Sequence, residues 1–185
     1  ENSFLLLPCI FYNLQVMQPK VPMISFVGKS NSGKTTLIVK LIRELKSRGY
    51  RVATIKHSHH SFELDEEGKD SWLHTKAGAD AVVVASKHMT GVIHIAPKEL
   101  HLSDIVNTYL HDMDIVLVEG YKTLAIPKIE VFRSEICTEL ICKADQNLIA
   151  VVGNKKPETS IPFFPIDDKA SSIVDFLLLR LKKTL

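Results

Sequence analysis

The sequence predicts an α/β fold of the P-loop NTPase-like kind: a mostly parallel β-sheet flanked by helices, with an additional β-hairpin or edge strands. Three observations carry this. Short apolar runs of strand length alternate with stretches of helical period, and alternation of that sort favours parallel strands covered on both faces. The stretch 23–46 reads as strand, glycine-rich loop and helix in immediate succession. Two neighbouring apolar runs, 81–85 and 91–95, are joined only by a polar turn, as in a hairpin.

Taken in order, residues 1–22 read as an N-terminal extension, and 23–185 as one nucleotide-binding domain. Phe4–Tyr12 is apolar but too short to span a bilayer, and Pro8 interrupts it. No basic segment precedes it, which argues against a secretory signal. Met23–Val27 is a buried strand by composition. From Thr36 to Lys46, Leu37, Leu41 and Leu45 recur at every fourth position with Ile38 and Ile42 beside them, so this is an amphipathic helix. Lys46 and Arg48 lie near its negative pole and Gly49 is its stop. Tyr50–Lys56 is a second strand, Glu63–Lys69 a loop, and Lys69–Ala77 a short helix stopped by Gly78.

Beyond the hairpin, Leu102, Ile105, Val106, Tyr109 and Leu110 suit a helix. Ile115–Val118 ends in Glu119-Gly120. Pro127–Arg133 reads as a strand of alternating sides, and Asn147–Gly153 as the last central strand. Ile173, Val174, Phe176, Leu177, Leu178 and Leu181 form a C-terminal helix that packs on the sheet.

The loop carries the chemistry. Gly28-Lys29-Ser30-Asn31-Ser32-Gly33-Lys34-Thr35-Thr36 satisfies the G-x-x-x-x-G-K-[ST] pattern in its proper strand–loop–helix context. Glycines let the backbone approach a phosphate, and successive N–H groups and the helix N-terminus face its oxygens. Lys34 is expected at the β- and γ-phosphates and the Thr35 hydroxyl at Mg²⁺. Glu119, an acid at the end of an apolar strand, is the second candidate for Mg²⁺. Lys34 and Glu119 are therefore the candidate catalytic groups. Lys29 is either a solvated side chain or a second cation for a phosphate held by another subunit.

The run Lys56-His57-Ser58-His59-His60 follows a strand end, where ligands gather in open α/β sheets. Three readings stand: a metal site, a phosphate-facing switch, or a solvated loop. Adjacent strand residues point to opposite faces, so the three histidines converge only if the chain turns.

Composition bounds the rest. The net charge of +2 gives no argument for nucleic acid or a membrane surface. Cys9, Cys137 and Cys142 lack a repeated spacing and fit reduced thiols in a cytoplasmic protein. Base identity is poorly encoded. Asn154-Lys155-Lys156-Pro157 has the first two letters of the guanine-reading N-K-x-D pattern but proline in place of the aspartate.

Together, Gly28–Thr36, Ile55–His60, Gly68-Lys69-Asp70-Ser71, Lys76–Ala79 and Leu117–Lys122 resemble the molybdopterin-guanine dinucleotide biosynthesis protein B (MobB) family in order and spacing over roughly 23–180. The resemblance implies a homodimeric, weak GTPase that uses GTP and Mg²⁺. It implies an accessory role beside the molybdenum cofactor guanylyltransferase and the molybdenum-insertion protein. It adds Lys56, His57, His60, Asp70, Gly120 and Lys122 to the nucleotide or partner face. A nickel-type metallochaperone GTPase and a non-catalytic nucleotide-dependent adaptor are the competing readings.

Overall fold

Five-residue apolar runs become strands here, and the longer amphipathic segments close over them. The computed structural model describes residues 21–58 and 62–181. Its elements are β1 (Met23–Val27), α1 (Lys34–Ser47), β2 (Val52–Lys56), α2 (Asp70–Lys76), β3 (Ala81–Ala85), β4 (Thr90–His94), α3 (Leu102–Tyr109), β5 (Ile115–Glu119), β6 (Lys128–Phe132), β7 (Leu148–Gly153), β8 (Phe163–Pro165) and α4 (Ala170–Leu181). Six strands form one parallel sheet in the order β2-β5-β1-β6-β7-β8, while β3 and β4 pair antiparallel on their own. The expected parallel sheet and separate hairpin are both present.

Alternation along each strand divides the core into two layers. On one face Ile24, Phe26, Leu117, Ile129, Val131 and Ala150 pack against α1 and α4. Leu41 and Leu45 of α1 are fully buried, each contributing about 2 kcal/mol of apolar transfer. α1 ends as its sequence requires. Gly49 has φ +85°, its N–H donates to Lys46 O, and Tyr50 N–H donates to Leu45 O, which makes a Schellman motif.

The other face has two covers. Ala53, Val116 and Val118 pack against Leu102 and Val106 of α3, together with Val21. Val21 is buried, and Pro22 O accepts from Val116 N–H at 2.9 Å, so these two residues pack with the domain. Residues 1–20, with the rest of the apolar extension and Cys9, lie outside the described residues. Beyond α3 the cover is irregular. Leu140 and Cys142, on the connection from β6 to β7, close over Phe132, Leu148 and Val151.

That irregular cover explains one departure from expectation. β6 reads from its sequence as a strand of alternating sides, yet all five of its residues are buried. Lys128 and Glu130 share the face under the 133–147 connection. Lys128 Nζ donates to the carbonyl of Leu124 and lies 2.8 Å from Asp145 Oδ2. Glu130 accepts from the N–H groups of Ile141 (2.7 Å) and Cys142 (2.9 Å). Burial pushes the Glu130 carboxyl up, partly offset by those two bonds, while Lys128 holds the Asp145 carboxyl below the usual range.

β8 has no counterpart in the sequence reading. Phe163–Pro165 adds parallel to β7 as the edge strand, which leaves β7 inside the sheet. Pro162 and Pro165 flank the two phenylalanines and hide the strand signal, and proline is tolerated because this strand is an edge.

Candidate nucleotide site

β1 runs through the middle of the sheet and delivers the loop at its carboxyl end. Gly28 sits there with φ +145°, and a Cβ on it would lie 2.5 Å from Val131 O and 2.9 Å from Ser32 Oγ. Only glycine lets the chain leave β1 beside the end of β6. The loop then turns through Asn31, whose φ of +60° suits an asparagine, and Gly33 at φ +98° before α1 begins at Lys34. No acidic side chain occupies the first turn of α1, so its N-terminal N–H groups and dipole face the loop unopposed. Lys29, Ser30, Asn31, Thr35 and Thr36 are exposed around it.

Three features show that these residues fit a bound phosphate chain with Mg²⁺. Lys34 Nζ folds back on its own loop, donating to Gly28 O at 3.1 Å and Lys29 O at 2.8 Å. An ammonium held over a carbonyl-lined loop is placed to exchange those neutral acceptors for anionic phosphate oxygens, which bind it more strongly. The Ser32 hydroxyl is buried under the loop without a hydrogen-bond partner among the described residues, a polar group still in need of one. Thr35 Oγ1 donates to Glu119, 3.1 Å from Oε2 and 3.3 Å from Oε1. A hydroxyl and a carboxylate are hard oxygen donors, the type Mg²⁺ takes.

The sheet register assembles the rest. Glu119 is opposite Phe26 on one side and Lys56 on the other, so the ends of β1, β2 and β5 meet. Gly120 N–H donates to Phe26 O, and Ser25 Oγ donates to Gly120 O at 2.5 Å. Gly120 has φ +105°, and a Cβ there would come 3.2 Å from His57 Cβ. His57 N–H donates to Glu119 O, and the imidazole packs on Tyr121 with ring centroids 4.4 Å apart. Its Nε2 is 3.3 Å from Glu99 Oε1.

Lys34, Thr35, Lys56, His57, Glu119 and Gly120 are thus brought together. Lys122 is exposed just beyond Tyr121. Asp70 opens α2, which packs beside β3, and among the described residues no hydrogen bond or ion pair joins it to the loop. His59 and His60 lie outside the described residues. Among the described residues no three His, Cys, Asp or Glu side chains gather to hold a metal, and Cys137 and Cys142 are free thiols. Sequence reasoning missed a cleft of about 1170 Å³ between the end of β2, β4 and α3, lined by Lys56, His57, His94, Tyr109 and Tyr121. Its walls come from segments far apart in the chain, which leaves no local signal.

Comparison with known proteins adds the family. The model for molybdopterin guanine dinucleotide synthesis protein B matches residues 23–154. This chain belongs to that family. A molybdopterin-guanine dinucleotide biosynthesis adapter protein of Haemophilus influenzae is 36% identical over 169 residues, 91% of this chain and 94% of the relative. Its Escherichia coli counterpart is 34% identical, over 88% and 95%. The crystal structure of Bacillus subtilis MobB superposes with a TM-score of 0.66 at 28% identity, covering 85% of this chain and 96% of that one. The MobB match spans both motifs that meet at the site, the loop at 28–36 and the strand end at 119.

Proposed function

We propose that this chain is a nucleotide-dependent adapter in molybdopterin-guanine dinucleotide biosynthesis that binds GTP with Mg²⁺ and hydrolyses it slowly. The observation that carries the reading is the meeting of Thr35 with Glu119 beside a lysine held over the loop. Gly28 to Thr36 would hold the triphosphate, with Lys34 on its outer oxygens. Thr35 and Glu119 would hold Mg²⁺, which when bound neutralises charge on the phosphates and polarises them. Among the residues at the site, Glu119 is taken up by Thr35 and His57 by Tyr121 and Glu99, so neither is set as a dedicated base for water. That arrangement supports slow turnover and an output carried by contact with partners.

The partners in this reading are the guanylyltransferase that makes the dinucleotide and the molybdenum-insertion protein, in the cytoplasm, with the adapter acting as a homodimer. No helix among the described residues is long and apolar enough to cross a membrane. The hairpin supports self-association. Both its strands are edges, and Val83, Val84 and Val92 are exposed on it.

The test is calorimetric titration of GTP and ATP with Mg²⁺ into the wild type and Lys34→Ala. Tighter binding of GTP, lost in the variant, is the expected result. Equal or ATP-favoured binding would overturn the guanine reading, and no binding of either would overturn the whole.

A further inference from the structure

We propose that the cleft between the end of β2, β4 and α3 is a second ligand site, which holds a phosphorylated pterin beside the outer end of the nucleotide. This assignment rests on the adapter role proposed above and gives the pterin half of the dinucleotide a place of its own.

The charges in the cleft call for an anion. Apart from histidines, its charged lining is Lys56, Lys98 and Glu99. Glu99 is taken up by His57, with 3.3 Å between Oε1 and Nε2. Neither lysine ammonium has an ion-pair partner among the described residues. Two uncompensated cations beside apolar walls attract a negative ligand.

The walls narrow the class. The cleft encloses about 1170 Å³, room for a fused ring system with its side chain. Ile55, Ile93, Leu100 and Ile105 give it part-buried apolar walls. Its aromatic groups are already held in place. His57 packs on Tyr121 with ring centroids 4.4 Å apart, and His94 Nδ1 lies 2.9 Å from the Tyr109 hydroxyl. Tyr121 takes φ +53°, a left-handed backbone that costs a bulky residue energy, and such strain gathers at ligand sites. Preset rings beside apolar walls suit a flat ring more than a flexible chain. A pterin that is to be joined to a nucleotide through phosphates carries a phosphate of its own beforehand. It therefore offers both the flat ring and the negative charge.

Position gives the role. Lys56 is opposite Glu119 in the register of β2 and β5, so the cleft opens beside the metal-binding end of the phosphate loop. Mg²⁺ there bridges the β- and γ-phosphates, whereas joining the two halves takes place at the α-phosphate. A pterin in this cleft is held for a partner enzyme and is not joined to the nucleotide here.

Fluorescence anisotropy of neopterin 3′-phosphate, a fluorescent pterin with a phosphate on its side chain, tests this on the full chain. The titration should saturate, and neopterin without the phosphate should bind at least about tenfold more weakly, the worth of one charge-assisted contact. Lys98→Ala, at an exposed position, should weaken the phosphorylated probe about tenfold and leave plain neopterin and Mg-GTP unchanged. Lys34→Ala should lose GTP and keep the pterin. Absence of saturable binding, equal affinity for the two pterins, or an unaltered Lys98→Ala overturns the proposal. Loss of the probe in Lys34→Ala overturns it too, by putting the probe in the phosphate loop. Displacement of the probe by an equal concentration of hexaglutamate would assign the cleft to an acidic peptide and overturn it as well. If GTP binds and the pterin does not, only the cleft assignment fails, and if GTP does not bind, the nucleotide reading fails on its own.

Discussion

Thr35 Oγ1 lies 3.1 Å from Glu119 Oε2, although 84 residues separate the two in the chain. The contact exists because β1 and β5 are parallel neighbours in register, so the residues beyond their carboxyl ends meet. A hydroxyl that donates directly to a carboxylate has no third partner to share it with. When a cation binds between two such oxygens, both turn acceptor lone pairs toward it. On the proposed function, a divalent ion would open this pair.

Substitution at either member should therefore uncouple metal from nucleotide. Glu119→Gln should reduce the Mg²⁺-dependent gain in GTP affinity by at least about tenfold, which is about 1.4 kcal/mol. Affinity measured in excess chelator should stay within about twofold of wild type, since phosphate contacts to the loop persist. Titrations with and without Mg²⁺ read both numbers.

Lys34→Ala should separate binding from stability. The lysine gives up two hydrogen bonds to loop carbonyls, one exposed and one part-buried, that water at the loop can largely replace, so the melting temperature without nucleotide should move little. GTP affinity should fall by about a hundredfold, the loss of charge-assisted contacts to phosphate. Thermal melts with and without saturating Mg-GTP distinguish the two effects.

Gly28→Ala should fail differently. Its new methyl would sit 2.5 Å from a backbone carbonyl of β6, which cannot swing away as a side chain could. The variant should lose about 2 kcal/mol or more of stability and bind no nucleotide. A loss of binding with full stability would contradict this account of the glycine.

The ion pair between buried Lys128 and partly exposed Asp145 gives a pH dependence. Lys128 holds the Asp145 carboxyl below its ordinary value, chiefly through their hydrogen bond. A carboxyl whose folded value is depressed stabilises the fold above its unfolded value and loses that contribution as pH falls through the folded one. Stability should therefore decline as the pH drops below about 4. Asp145→Asn should remove that part of the acid limb. It should also cost about 3 kcal/mol at neutral pH, because Lys128 stays buried without its counter-charge. Urea unfolding across the range pH 3 to 7 measures both.

The loop, α1, the hairpin and the Glu119 strand end could be read from the chain because each is local: a spacing, a period, a run that stops. β8 was hidden because two phenylalanines between prolines carry no period. The burial of Lys128 and Glu130 was hidden because their alternation with Ile129 and Val131 is the pattern of a half-wet strand. Only the irregular 133–147 connection, folded back over them, makes that side dry.

The loop leaves the middle of the sheet, from a strand hydrogen-bonded to neighbours on both sides and with Ile24, Ser25 and Phe26 wholly inaccessible to water. Such a strand belongs to the part of a domain that opens only when everything opens. Whatever occupies the loop is then read by the entire fold, because a ligand that binds only the native state adds its occupancy to global stability. Ligand concentration becomes a setting for the lifetime of the molecule. An adapter built this way would persist when its nucleotide is plentiful and be cleared by cellular proteolysis when it is scarce.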